Sequence, residues 1–171
     1  LDADLSKSTK TDTFKNVCPD RFFNVGIAEQ NLISVGAGLA AAGKIPFVSS
    51  FAMFATGRAF EQIRNAVCYP KLNVKVCATH AGITVGEDGA THQSLEDISC
   101  MRTLPNMTVV VPADERETEE VVEWAASYEG PVYVRLGRAG VDDVTAEGYT
   151  FVPGKSTTLV NGSDVTIIAC G

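Results

Sequence analysis

The sequence predicts an α/β domain of three layers, with a mainly parallel β-sheet and helices on both faces. Two features carry this reading. The runs PFVSS (46–50), NVKVCAT (73–79), TVVVPA (108–113) and PVYVRL (131–136) are almost continuously apolar rather than alternating, as strands covered on both faces are. Helical stretches of about 10–15 residues separate most of them, the spacing of strand–helix–strand units. A chain of 171 residues that is 45% hydrophobic and 20% charged also has the composition of one globular domain with its own core.

RFFNV (21–25) reads as the first strand. Ala28 to Ala42, rich in small residues, reads as a helix leading into PFVSS, and Met53 to Cys68 as a second helix leading into NVKVCAT. A glycine-rich loop from His80 to Gln93 precedes a short helix, Leu95 to Arg102. The strand TVVVPA ends at Pro112, where no amide remains to donate to a ladder. Asp114 is a plausible N-cap for a helix reaching Tyr128, with acids in its first turn where the helix dipole favours them. PVYVRL completes the sheet. The domain is assigned to residues 1–145. Residues 146–171 hold two β-like runs, turn signals at Pro153-Gly154 and Asn161-Gly162, and a final apolar run, VTIIACG. They read as a linker and the start of a further, C-terminal domain.

Charge and composition exclude several functions. With 14 Lys+Arg against 21 Asp+Glu the net charge is −7, and the isoelectric point near 4.8 argues against nucleic acid, whose phosphates want a basic face. No apolar run approaches the ~18–20 residues of a membrane span. The opening LDADLSKSTK has no apolar core of a signal peptide. Five scattered cysteines, odd in number and without a CxxC pair, fit reduced thiols in a cytoplasmic protein, most of them buried.

Ligands on parallel sheets sit at the carboxyl ends of the strands, which directs attention to the loops after Val25, Ser50, Thr79, Ala113 and Leu136. Both histidines, His80 and His92, fall in one such loop, THAGITVGEDGATHQ, with Glu87 and Asp88 between them. His80, Asp88 and His92 are metal-ligand types, but their spacing matches no standard zinc motif, so a metal hydrolase is the weaker reading. Glu29 opens a helix directly after a strand. It is either an acid complementing the helix dipole, or a carboxyl buried beside Ile27, Ala28 and Leu32 that can exchange protons near neutrality. Phe51, Phe54 and Phe60 form either a core stripe or a platform for a flat heteroaromatic ligand. Arg135 and Arg138, at a strand's carboxyl end beside glycines, are placed to bind phosphate or carboxylate. The small residues Gly36, Ala37, Gly38, Ala40 and Ala41 permit close helix contact, so a non-catalytic oligomerisation module is an alternative.

RFFNVGIAEQN, FVSSFAMF, THAGITVGEDGATHQ, LPNMTVVVPAD and VRLGRAG, in this order and spacing, resemble the pyrimidine-binding domain of thiamine-diphosphate (ThDP) enzymes, most closely that of transketolase, over roughly Leu1 to Cys170. The resemblance implies that Glu29 hydrogen-bonds N1′ of the cofactor's aminopyrimidine and relays a proton, and that Phe51 and Phe54 surround that ring. Gly57 stands where some relatives carry a further aromatic. His80 and His92 match catalytic positions near the reacting carbonyl and donor hydroxyls, Asp88 the acid that reads a substrate hydroxyl, and Arg138, Ser8 and His80 the groups that hold a sugar phosphate. Arg135 has no match.

The GDG motif and the later Asn-Asn pair that anchor the diphosphate and its cation in this family are absent from the sequence. The resemblance therefore implies half a site: no metal on this chain, Mg²⁺ or Ca²⁺ held by a diphosphate-binding subunit or domain, sugar phosphates as substrates, and a homodimer or heterotetramer. The implied reaction moves a two-carbon ketol unit from a ketose phosphate to an aldose phosphate. Deoxyxylulose-phosphate synthases share GIAEQ and DGATHQ-like text, but usually lack the counterparts of His80 and Glu87. The β-subunits of 2-oxoacid dehydrogenases lack most of the histidine loop.

Overall fold

A computed structural model describes residues 1–170. Helices α1 (Ser6–Thr9), α2 (Thr11–Val17) and α3 (Glu29–Ala41) precede strand β1 (Phe47–Phe51). A helical passage follows, built from a wide π-turn (Phe54–Arg58), the α-turn α4 (Phe60–Gln62) and a second π-segment (Ile63–Cys68). Then come β2 (Lys75–Thr79), α5 (Asp97–Arg102), β3 (Thr108–Val110), α6 (Glu115–Ser127) and β4 (Val132–Arg135). The strands form one wholly parallel sheet in the order β1-β2-β4-β3.

The period of two along each strand explains the layers. Val48, Val76, Ala78 and Tyr133 point to one face, where they pack with Leu32 and Ile33 of α3, Ile63 and Val67 of the helical passage, and Met101 of α5. Cys77, Val132 and Val134 point to the other face, against Val121 and Ala125 of α6. Both faces are dry, so alternate residues are apolar for different neighbours.

Several expectations need correction. RFFNV is not a strand: Pro19–Arg21 is a 3₁₀ turn, and only Asn24 pairs, as an isolated bridge to Asp2. Asn24 Oδ1 accepts from the amides of Asp4 and Gly26, so a local turn competes with the ladder. The stretch from Met53 to Cys68 is helical but not a regular α-helix. Its π-turn is closed by the Ala59 amide on the Phe54 carbonyl, five residues back, at 3.3 Å. The strand expected to end at Pro112 stops at Val110. The small-residue stripe is partly core. Gly36 packs on β1 so closely that a Cβ there would lie 2.8 Å from Val48 Cγ1, which accounts for its glycine without an oligomer interface. The β-like runs after Tyr149 form no strand among the described residues, and Val160, Ile167 and Ile168 are exposed. Gly171, which ends VTIIACG, lies outside the described residues. Of the cysteines only Cys68 and Cys77 are buried, and all five are free.

The N-terminus gave no sequence signal yet is well fastened. Asp2 is fully buried, and its carboxylate accepts from the Leu5 amide at 2.6 Å and from the hydroxyls of Thr9 and Thr11 at 2.7 and 2.9 Å. Asp114 caps α6 as expected, accepting from the Glu117 amide at 2.9 Å. It also binds both the amide and the hydroxyl of Thr145 at 2.7 Å, which ties the chain after β4 to the start of α6. No helix among the described residues is long and apolar enough to cross a membrane.

Lys75 supplies a pH prediction. It is fully buried with no carboxylate partner, and donates to the carbonyls of Tyr128 and Gly130 at 2.7 and 2.8 Å. Burial pulls its pKa from 10.5 down to about 8. Between these values the unfolded chain binds a proton the folded chain does not, so stability rises with pH, by roughly 3 kcal/mol over the window. Burial pushes the thiols of Cys68 and Cys77 from 9.0 up to about 11 and about 12. Above pH 9 the unfolded thiols release protons that the folded ones keep, and stability falls. Denaturant unfolding of the full-length protein should therefore show a rise between pH 8 and 9 that then turns over. Lys75→Met should lose the rise and keep the fall, whereas parallel curves for the two proteins would refute the assignment.

Candidate functional site

The site is built where β1 and β2 end. Phe51 is the last residue of β1, and Thr79 the last of β2, so the parallel register (Phe51 opposite Thr79) brings Phe51 and His80 to one edge. His80 turns the chain there with φ +60°, a left-handed conformation uncommon for a non-glycine residue, and its ring stacks on Phe51 with centroids 3.9 Å apart. Phe51 is 5.9 Å from Phe54 in a second, looser stack. His92, from the far end of the loop, meets both phenyl rings edge-on at 6.2 and 5.2 Å. Two rings and two imidazoles thus form one aromatic cluster at the carboxyl end of the sheet.

Glu29 approaches from α3. Its side chain is 1% exposed, although it is the first residue of its helix. Its partner is Arg58, whose Nη1 donates to Oε2 at 2.7 Å. The same guanidinium lies over the Phe54 ring, with Cζ 4.5 Å from the centroid. Arg58 therefore joins the carboxylate to the aromatic cluster. Sequence reasoning missed it, and placed Ile27 beside Glu29; Ile27 is 78% exposed, and the carboxylate is paired rather than enclosed in hydrocarbon.

The loop between the histidines is held at three points. The Gly82 amide bonds the Ser94 carbonyl, the Ala81 amide bonds the Leu136 carbonyl, and Arg138 reaches Glu87 at 2.9 Å. Gly86 has φ +86°, which favours glycine, and a Cβ there would lie 2.8 Å from Arg138 Nη1, so a larger residue would be strained and would displace the end of this arm. Burial, Arg138 and His92 lower the pKa of His80 against the opposing pull of Asp88, which keeps its imidazole neutral at neutral pH. A neutral imidazole can both accept and donate a proton. Asp88 is exposed on the loop and Ser8 is exposed on α1, and no hydrogen bond joins Ser8 to the cluster among the described residues.

A second buried network lies beneath the loop. Asp97 of α5 is fully buried and accepts through Oδ2 from the Tyr133 hydroxyl and from Arg135 Nε, both at 2.8 Å. Arg135 is thus tied to a carboxylate, and its Nη2 lies 3.3 Å from where a Cβ on Gly82 would stand. Among the described residues no group of three His, Cys, Asp or Glu could hold a metal ion.

The site also offers free acceptors. Glu29 Oε1 accepts no hydrogen bond from the described residues, and Ser50 Oγ, one residue before Phe51, is buried without a partner among them. A parallel sheet thus carries at its carboxyl edge an aromatic cluster joined through Arg58 to a buried carboxylate, an arrangement suited to binding a ligand. The family model described as "Transketolase, pyrimidine binding domain" matches residues 1–142, and the chain belongs to that family. It is 58% identical, over its whole length, to 55% of a Methanocaldococcus jannaschii protein named as a candidate transketolase C-terminal section. It is 43% identical to 53% of a Clostridium protein named as a 6-deoxy-6-sulfo-D-fructose transketolase subunit, again over the whole chain. A solved structure described as a split-gene transketolase in an inactive β4 tetramer superposes with a TM-score of 0.82 at 60% identity, covering 93% of this chain and 50% of that one. The chain spans about half the length of these relatives.

Proposed function

We propose that the chain is the pyrimidine half of a transketolase-like ThDP enzyme that moves a two-carbon ketol unit between ketose and aldose phosphates. The observation that carries this is the buried Glu29 carboxylate, with one oxygen free, beside the Phe51–Phe54–His80–His92 cluster. Glu29 would hold and exchange the proton at N1′ of the aminopyrimidine, and Phe51 and Phe54 would bound its ring. When bound, the cofactor supplies a nucleophilic carbon that accepts the two-carbon unit. His80 and His92 would exchange protons with the carbonyl and hydroxyls of the sugar, and Asp88 would accept from one hydroxyl. Arg138, with Ser8 and His80, would hold the sugar phosphate, Arg138 by exchanging Glu87 for it.

The diphosphate and a Mg²⁺ or Ca²⁺ ion belong in this reading to a second subunit or domain, because this sequence has no GDG or Asn-Asn pair to hold them. Relatives named as transketolase subunits, and the split-gene structure, support such a division. The test is reconstitution. The full-length protein with ThDP and Mg²⁺ should transfer no ketol unit alone, and should do so once a diphosphate-binding transketolase half is added. Transfer by the protein alone, or none by the reconstituted pair, would overturn the proposal. A deoxyxylulose-phosphate synthase reaction is the second reading, supported by 38% identity over the whole chain to such a synthase from Clostridium perfringens. Replacing the ketose phosphate donor with pyruvate separates the two.

A further inference from the structure

Arg58 touches two of the features assigned above to the aminopyrimidine, Glu29 and Phe54. Its Nη1 holds Glu29 Oε2 at 2.7 Å, and its guanidinium covers the Phe54 ring at 4.5 Å. The contact is asymmetric. Glu29 is 1% exposed and Arg58 48%, so a half-solvated cation reaches inward to a carboxylate that has lost its water. An ordinary surface ion pair contributes little. A carboxylate taken out of water is instead costly unless a charged donor stays with it, and Arg58 is the donor it has here. The contact is also monodentate. One carboxylate oxygen is taken, and the other has no partner among the described residues. The π-turn supports this placement: Arg58 is its last residue, Phe54 its first, and wide turns of this kind recur at functional sites.

We infer that Arg58 is a positioning residue for the pyrimidine side of the site, fixing Glu29 through Oε2 so that Oε1 faces the ring nitrogen of the ligand, and bracing Phe54 from the side of its guanidinium. The inference rests on the function proposed above. It predicts that Arg58 acts on ligand affinity chiefly through one atom of the ligand, N1′, to a smaller extent through the ring that Phe54 bounds, and not through the fold.

The experiment compares two ligands on three proteins. Wild type, Arg58→Met and Arg58→Lys are assembled as full-length protein with the diphosphate-binding half. Binding of ThDP, and of its analogue with carbon in place of ring N1′, is then measured by calorimetry. Arg58→Met should weaken ThDP by at least about tenfold, in line with loss of a hydrogen bond to a charged group. The N1′-carbon analogue should change by less than about threefold, and Arg58→Lys, which keeps the charge, should recover part of the loss. Equal weakening of both ligands would reduce Arg58 to a structural role, and tighter binding by Arg58→Met would make it a latch over Glu29. Either result, or no change at all, overturns the inference. Failure of the function itself is distinguishable, since the wild-type assembly would then bind neither ligand.

Discussion

Glu29→Gln is expected to lower kcat of the reconstituted enzyme by about 10²–10⁴-fold, the range lost with a general acid–base group, while leaving assembly intact. Glutamine keeps the shape of the side chain and an oxygen to accept from Arg58, but it cannot take up or release a proton. The fold should scarcely notice. A neutral glutamine needs no charged donor, and Arg58 is half-exposed and can turn to water, so the change should cost at most about 1 kcal/mol. This separates three readings of the same residue. An acid that only complements the helix dipole predicts a loss of about 0.3–1 kcal/mol in stability and no loss of turnover. An oligomerisation module predicts neither. A proton-handling carboxylate predicts the loss of kcat with sedimentation and melting nearly unchanged. Turnover within threefold of wild type would sink the enzymatic account of this pocket.

How far the sequence reveals this molecule follows from the range of each interaction. The four sheet strands are legible because burial on both faces makes them continuously apolar: Val76 and Ala78 face α3 and α5, and Cys77 faces α6. The Asp114 cap is legible because it acts within three residues, on the Glu117 amide. RFFNV misleads because its apolar residues are not those of a strand: Phe23 is 48% exposed, and Asn24 spends its side chain on a turn. The histidine loop and the phenylalanines stand out by composition, and the sheet register then brings them together. The pairings Glu29–Arg58, Glu87–Arg138 and Asp97–Arg135 span 29, 51 and 38 residues. No local pattern encodes them. They exist because parallel strands return distant segments to the same edge, and only the fold discloses which arginine meets which acid.

The largest effect on stability is expected at Asp97, which no sequence pattern marks. Its Oδ2 holds two donors at once, the hydroxyl of fully buried Tyr133 and Nε of Arg135, whose side chain is 15% exposed. Asp97→Ala leaves a phenol and a guanidinium without their acceptor where little water can reach them. Removing one member of a buried pair in this way costs about 3–5 kcal/mol, much of the stability of an ordinary domain. The damage should extend to the site. Arg135 lies directly under Gly82, and a guanidinium freed from Asp97 would press on the loop whose other end carries His92. Activity should therefore fall with stability, unlike in Glu29→Gln, where the two separate. The triple change Asp97→Leu, Tyr133→Phe and Arg135→Met replaces the whole network with hydrocarbon of similar volume. It should recover most of the loss, because the charges that needed one another are gone together. Unfolding free energies for the single and triple variants provide the check. A cost below 1 kcal/mol for Asp97→Ala, or no recovery in the triple variant, would mean that the stability at this point does not rest on the pairing of Asp97 with Tyr133 and Arg135.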